Sequence, residues 1–248
     1  MIPPPGFEWV QHRCTTVLVR ADVRDWVVPL LDAADRAWQG YDARPVAGGR
    51  GGARIVVGAQ GHAVVVRPYR RGGFPARVLR DTYFGWNPRP FRELCATEAL
   101  RRRAAPVVEV YAAAVRWRLP GCYRGWLVSR YVPGAASLWA WLSAAPAPAE
   151  RRVVFARVGQ ALRRLHERGG QHPDLNLNNI LVCGGANAPD VVFIDFDRAQ
   201  ASARGRSAAA DFARLRRSAQ KLDPHGSHVA TADFEQLEAA YRGGGTCV

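Results

Sequence analysis

The chain has 248 residues, 48% of them hydrophobic, and a formal net charge of +14 from 35 Lys and Arg against 21 Asp and Glu. That apolar content excludes a disordered chain, and the length suits one large domain or two small lobes with a buried core. The charge calls for an anionic neighbourhood such as a phosphorylated substrate or a membrane surface. Lys221 is the only lysine; arginine with abundant alanine also follows from a GC-rich genome, so no nucleic-acid partner is expected.

The five cysteines, Cys14, Cys95, Cys122, Cys183 and Cys247, are odd in number, dispersed and without a C-x-x-C pair. They indicate neither a disulfide framework nor a zinc site, and a reducing cytoplasm is expected. The opening "MIPPPGFEWV" has no basic n-region followed by an apolar run, and no uncharged apolar stretch reaches the length of a membrane span. Association with a membrane surface stays open.

Residues 1–45 carry an apolar-rich segment, "DWVVPLLDAADRAW", of uncertain role. The β-branched runs Ile55–Val57 and Val64–Val66 predict a hairpin preceded by the Gly-rich loop "GGRGG" (48–52). Phe91, Leu94, Cys95 and Ala99 recur at helical spacing behind Pro90 and predict a helix. "PVVEVYAAAVRW" and "YRGWLVSRYV" predict two strands joined near Pro120 and Gly121, and Pro133-Gly134 breaks the pattern. A long amphipathic helix is expected from Glu150 to Arg168, with Val154, Val158, Leu162 and Leu165 as its stripe and Gly169-Gly170 as its stop. A polar loop, two short strands, "NILV" and "VVFIDF", and helices around 212–222 and 234–241 complete the reading. The change from strand-rich to helix-rich text near residue 133 divides the chain into an N-terminal segment (1–45), an ATP-binding lobe (46–133) and a catalytic lobe (134–248).

The polar loop, "HPDLNLNNIL" (172–181), places one carboxylate and three carboxamides beside an apolar run. Asp and Asn suit turns, so a plain surface loop is one reading. The other is catalytic. About twenty residues on, Asp195 closes an apolar strand, where a lone carboxylate is costly unless paired or bound to a cation. Asn179 and Asp195 offer the hard oxygen ligands Mg²⁺ prefers, and Asp174 is a separate carboxylate able to take a hydroxyl proton, as phosphoryl transfer requires. Backbone N–H groups of Gly49, Arg50, Gly51 and Gly52 could cradle nucleotide phosphates. The cation that meets those phosphates cannot be lysine here; Arg67 is the candidate, partnered by Glu93 with Glu98 in reserve.

"LHERGGQHPDLNLNNILV" followed by "VVFIDFD" resembles the catalytic segment of the protein-kinase-like superfamily, H-x-D-L-x-x-x-N-I-L and then D-F-G. The resemblance makes Asp174 the catalytic aspartate, Asn179 and Asp195 the metal ligands and His172 the structural histidine. Pro173, Asn176 and Asp197 depart from the protein-kinase pattern, and no A-P-E segment follows, so a protein substrate is not expected. The order "GRG", R-x-Y-R-R-G-G, F-R-E-L, H-x-D-L-N-x-x-N-I-L and I-D-F-D-R is similar to the Kdo (3-deoxy-D-manno-octulosonic acid) kinases of lipopolysaccharide assembly, from about residue 45 to about 242.

This resemblance implies an α+β, bilobal kinase fold and an ATP- and Mg²⁺-dependent transfer to the 4-hydroxyl of Kdo on a lipid A precursor. It places the protein peripherally at the cytoplasmic face of the inner membrane, with a glycolipid substrate and no obligate protein partner. Adenine would lie near Ser129–Val132, and Arg70, Arg71 and Arg198 could meet substrate or nucleotide charge. Trp126, Trp139 and Trp141 are expected in the core rather than in a membrane belt. The rivals are a core heptose kinase, a small-molecule kinase of the aminoglycoside or choline type, and an inactive kinase fold used as a binding module.

Overall fold

The computed structural model describes the chain apart from residues 35–37, 47–51, 59–60, 71–80, 173, 185–188, 197–207 and 244–248. It divides into two compact units, Met1–Ala99 with Glu109–Tyr131, and Leu100–Val108 with Val132–Val248.

In the first unit, β1 (Phe7–His12), β2 (Thr15–Arg20), β3 (Asp42–Pro45), β4 (Arg54–Val57), β5 (Ala63–Pro68), β6 (Tyr83–Phe84), β7 (Val110–Leu119) and β8 (Cys122–Arg130) form one antiparallel sheet. Its order is β1-β2-β7-β8-β5-β4-β3, with β6 pairing β8. Side chains alternate across a strand, so Val56, Val64, Val66, Ala112, Ala114, Trp126 and Val128 share one face. The helix α1 (Arg24–Ala33) covers it with Val27, Val28, Leu30 and Leu31. Each such aliphatic side chain contributes about 1.5–3 kcal/mol on burial. Pro29 lies inside α1 on its exposed side, where the carbonyl it leaves without a donor can be hydrated. Helix α1, which takes up the first part of the "DWVVPLLDAADRAW" segment, thus covers a sheet to which residues 1–45 also contribute β1, β2 and β3.

The other face carries Arg67 and Tyr69 and meets α2 (Arg89–Arg102). The approach is close: a Cβ on Gly125 would lie 2.4 Å from Pro90 Cγ. The Arg89 N–H donates to Tyr123 Oη at 3.0 Å. The predicted hairpin and the helix behind Pro90 are all present. The strand expected from Pro106 begins only at Val110, because Pro106 and Val108 pair with Phe193 in the second unit (Phe193 N to Pro106 O 2.9 Å, Val108 N to Phe193 O 3.0 Å).

The second unit contains α3 (Leu138–Ser143), α4 (Pro148–Glu167), α5 (Ala208–Leu222), α6 (Thr231–Arg242) and the small antiparallel sheet of β9 (Ala136–Ser137), β10 (Ile180–Cys183) and β11 (Asp190–Phe193). Val154, Val158, Leu162 and Leu165 are buried as their spacing predicts. Glu150 caps the start of α4 by accepting the Ala147 N–H at 2.9 Å, and Gly169, at φ +73°, follows its end. Gly159 has no room for a side chain: a Cβ would lie 2.2 Å from Leu237 O on α6. His166 joins three helices, with Nδ1 2.8 Å from Tyr241 Oη and Nε2 3.0 Å from Asp211 Oδ2. Trp126 is buried in the first core, and Trp139 and Trp141 pack against the second.

Candidate active site

The 172–179 loop of the second unit is ordered by its own polar side chains. Asn176 Oδ1 accepts the Asn178 N–H at 3.0 Å, and Asn176 Nδ2 donates to Asp174 O at 2.9 Å. Such local side-chain bonds explain why asparagines are concentrated here and why no longer helix forms. A single 3-10 turn, Leu177–Asn179, leads into β10, with Leu175 and Leu177 buried as anchors.

His172 is fully buried and fixes the loop to the end of β11. Its Nε2–H donates to Ile194 O at 2.7 Å, while Nδ1 accepts the Asp174 N–H at 3.2 Å. One donor and one acceptor define the neutral tautomer, and burial pushes the imidazole below its ordinary pKa. Phe196 packs on the ring at 4.6 Å between centroids. The backbone of Asp174 is therefore positioned by a group that stays uncharged.

Asn179 joins the same cluster. Its Nδ2 donates to Asp174 O at 2.9 Å, which directs Oδ1, the end that can coordinate a cation, away from that bond. Asn179 O accepts the Ile194 N–H at 3.0 Å, and Ile180 pairs with Phe193 in the β10–β11 hairpin. Asn179 is thereby held opposite Ile194, next to Asp195. Asp195 has φ +69°, a left-handed conformation uncommon for a residue other than glycine. Among the described residues no three His, Cys, Asp or Glu side chains form a metal cluster; the backbone bond between Asn179 and Ile194 brings one amide-bearing and one carboxylate-bearing residue close along the chain.

In the first unit, Arg67 Nη2 donates to Glu93 Oε1 and Oε2, both at 2.6 Å, and Glu93 is 1% exposed. The pair expected from the sequence is formed. Tyr69 also donates its hydroxyl to Glu93. The sequence reading missed it, although Tyr69, one residue past the end of β5 with its N–H still bonded to Gly125 O at 2.9 Å, lies two residues from Arg67 and so on the same face. Glu98, the reserve partner, is buried as well.

Of the Gly-rich stretch, Gly49, Arg50 and Gly51 lie outside the described residues. Gly52 has φ +80°, and a Cβ there would lie 2.7 Å from Arg70 Nη1. Arg70 thus rests on the end of the Gly-rich loop. Both line a cavity of about 140 Å³ with Arg54, Arg124, Asp81 and Trp126. Arg71, Pro173, Asp197 and Arg198 also fall outside the described residues. Ser129 and Arg130 end β8, and residues 131–132 leave the sheet.

Residues 37–241 match the model of the lipopolysaccharide kinase (Kdo/WaaP) family. The chain belongs to this family. The match spans Arg67, Glu93, Asp174, Asn179 and Asp195. A 3-deoxy-D-manno-octulosonic acid kinase of Xanthomonas campestris pv. campestris is 36% identical over 209 residues, covering 82% of this chain and 80% of that protein. One of Xylella fastidiosa is 35% identical over 212 residues, covering 83% and 81%. A solved structure of WaaP in complex with acyl carrier protein superposes with a TM-score of 0.56 at 18% identity, covering 91% of this chain and 88% of that one. The fold is kinase-like, and the protein is a phosphotransferase with an alcohol acceptor, a lipopolysaccharide kinase.

Proposed function

We propose that the protein transfers the γ-phosphoryl group of ATP to the 4-hydroxyl of Kdo on a Kdo-bearing lipid A precursor. The observation that carries this reading is the likeness to Kdo kinases over four-fifths of both chains, within a family match that includes the whole Asp174, Asn179 and Asp195 cluster. The intact cluster also argues against an inactive binding module.

Asp174 orients the acceptor hydroxyl and receives its proton as the oxygen–phosphorus bond forms and ADP departs. His172 and Asn179 hold Asp174 through its N–H and C=O, leaving its carboxylate to the substrate. Asn179 Oδ1 and the Asp195 carboxylate are hard oxygen donors that fit Mg²⁺, and when bound the ion would neutralise charge on the β- and γ-phosphates. In the first unit, Gly49 to Gly52 supply backbone N–H groups to the nucleotide phosphates. Arg67, fixed by Glu93 and Tyr69, contacts the α/β-phosphates, and adenine lies by Ser129–Val132.

The net charge of +14 suits a phosphorylated glycolipid on an anionic surface. Among the described residues no helix is long and apolar enough to cross a membrane. On this reading the protein works peripherally at the cytoplasmic face of the inner membrane, where its basic charge would meet anionic lipid. The test is a panel of acceptors with ATP and Mg²⁺: a Kdo-bearing lipid A precursor, a heptose-bearing core and a soluble amino sugar. Phosphorus NMR of the product should show a phosphomonoester on O-4 of Kdo. Transfer only to heptose or the amino sugar would refute the acceptor while keeping the kinase.

A further inference from the structure

Among the described residues, the most exposed phenylalanine and tryptophan side chains are not the tryptophans the sequence flags but two at one end of the first unit's sheet, beside an exposed leucine. Phe84 is 59% exposed, Trp86 77% and Leu119 67%. They sit on two adjoining turns. Phe84 pairs with Cys122 in the β6–β8 ladder, Leu119 pairs with Cys122 across the β7–β8 turn, and Gly85 N donates to Gly121 O at 2.8 Å. The Trp86 indole lies over Gly121, whose φ is +71°, and packs 6.1 Å from the Trp117 ring. The projection is therefore built: backbone ties fix both turns, and the large apolar side chains stay outside. Leaving three such groups in water sacrifices several kilocalories of burial, which a folded protein tolerates at a docking surface.

The surrounding charge is basic. Arg118 is exposed between Trp117 and Leu119, Arg89 lies over Tyr83, and Arg116 faces Arg124 across the ladder. Two of these arginines already face carboxylates, Arg124 with Asp81 and Arg116 at 3.9 Å from Asp32, which leaves Arg118 as the exposed cation beside the projection. Exposed tryptophan and phenylalanine beside an exposed arginine match the chemistry of a bilayer interface, where rings enter the headgroup layer and guanidinium groups meet lipid phosphates. We propose that the Phe84, Trp86 and Leu119 projection is the surface by which this protein docks on an anionic phospholipid bilayer. This rests on the glycolipid acceptor proposed above, and assigns the membrane contact to one end of the β7–β8 hairpin.

The test uses the full chain and vesicles of phosphatidylglycerol and phosphatidylethanolamine, with phosphatidylcholine vesicles as the neutral control. Co-sedimentation of the triple variant Phe84→Ser, Trp86→Ser, Leu119→Ser should show partitioning to anionic vesicles weakened by about tenfold or more. Arg118→Glu, an exposed charge reversal that spares the apolar packing, should weaken it by about fivefold at low salt and less at high salt. In the triple variant, KM for a Kdo acceptor embedded in vesicles should rise while turnover of a deacylated, water-soluble Kdo acceptor stays at the wild-type value. Unchanged vesicle binding in both variants would overturn the proposal. So would vesicle binding retained alongside lost binding of an acidic acyl carrier protein, which would make the projection a protein-docking surface. Failure to phosphorylate either Kdo acceptor would refute the acceptor instead, and the vesicle measurement would still decide the docking surface.

Discussion

His172 shows how a buried side chain fixes the backbone of a loop, here at Asp174. Its two hydrogen bonds require the neutral ring, and burial lowers its pKa. The unfolded chain therefore takes up the proton first. This contribution to stability is complete above the ordinary histidine pKa and is lost as pH falls below about 6.5, at up to about 1.4 kcal/mol per pH unit. Urea unfolding at pH 7.5 and pH 5.5 should show a larger loss in wild type than in His172→Gln; equal losses would remove His172 as the cause. The proposed metal ligands have a separate signature. Asn179→Leu and Asp195→Ala should each abolish the Mg²⁺-dependent part of nucleotide binding, measured by calorimetry with and without the ion, and unaltered Mg-ATP affinity would refute their assignment. Arg67→Ala takes one charged partner from the buried Glu93 carboxylate, which keeps the Tyr69 hydroxyl, and should destabilise the fold by about 1–3 kcal/mol. Arg67→Lys should recover most of that in the same urea titration.

Helix α4 carries a prediction whose sign is opposite to intrinsic propensity. Alanine is better than glycine inside a helix by about 1 kcal/mol. At Gly159 the added methyl would collide with Leu237 O at 2.2 Å. Gly159→Ala should therefore lower stability, by about 1–3 kcal/mol, and a raised melting temperature would contradict the tight α4–α6 contact. The α4 stripe, the β4–β5 hairpin and the last two helices were legible because each is a periodic run with its own start or stop. The N-terminal elements were not. Pro29 masks α1 as a helix, and β1 and β2 are short strands whose place in the sheet is set by the pairing of β2 with β7, distant in sequence. Pro106 to Val108 read as strand because β-branching is all the sequence displays; their pairing with Phe193 is a tertiary choice.

Across the whole molecule, the candidate site stands out in the sequence more than the scaffold does. Asp174, Asn179 and Asp195 stand out because carboxylates and amides beside apolar strands are costly without a task. Arg67 and Glu93 followed from having only one lysine, too late in the chain to serve. What spacing could not give was support through backbone atoms, the Ile194 carbonyl and the Asp174 N–H and C=O, or the second hold on Glu93 by Tyr69. The outward turn of Trp86 was equally hidden, since a tryptophan near a glycine reads the same inside or outside a core. The first measurement to make is mass spectrometry of a Kdo-bearing lipid A precursor incubated with ATP, Mg²⁺ and either wild type or Asp174→Ala. One added phosphate on Kdo with wild type, reduced about 10²-fold or more in the variant while nucleotide binding persists, is the expected result. Equal phosphorylation by both proteins would contradict the assigned chemistry.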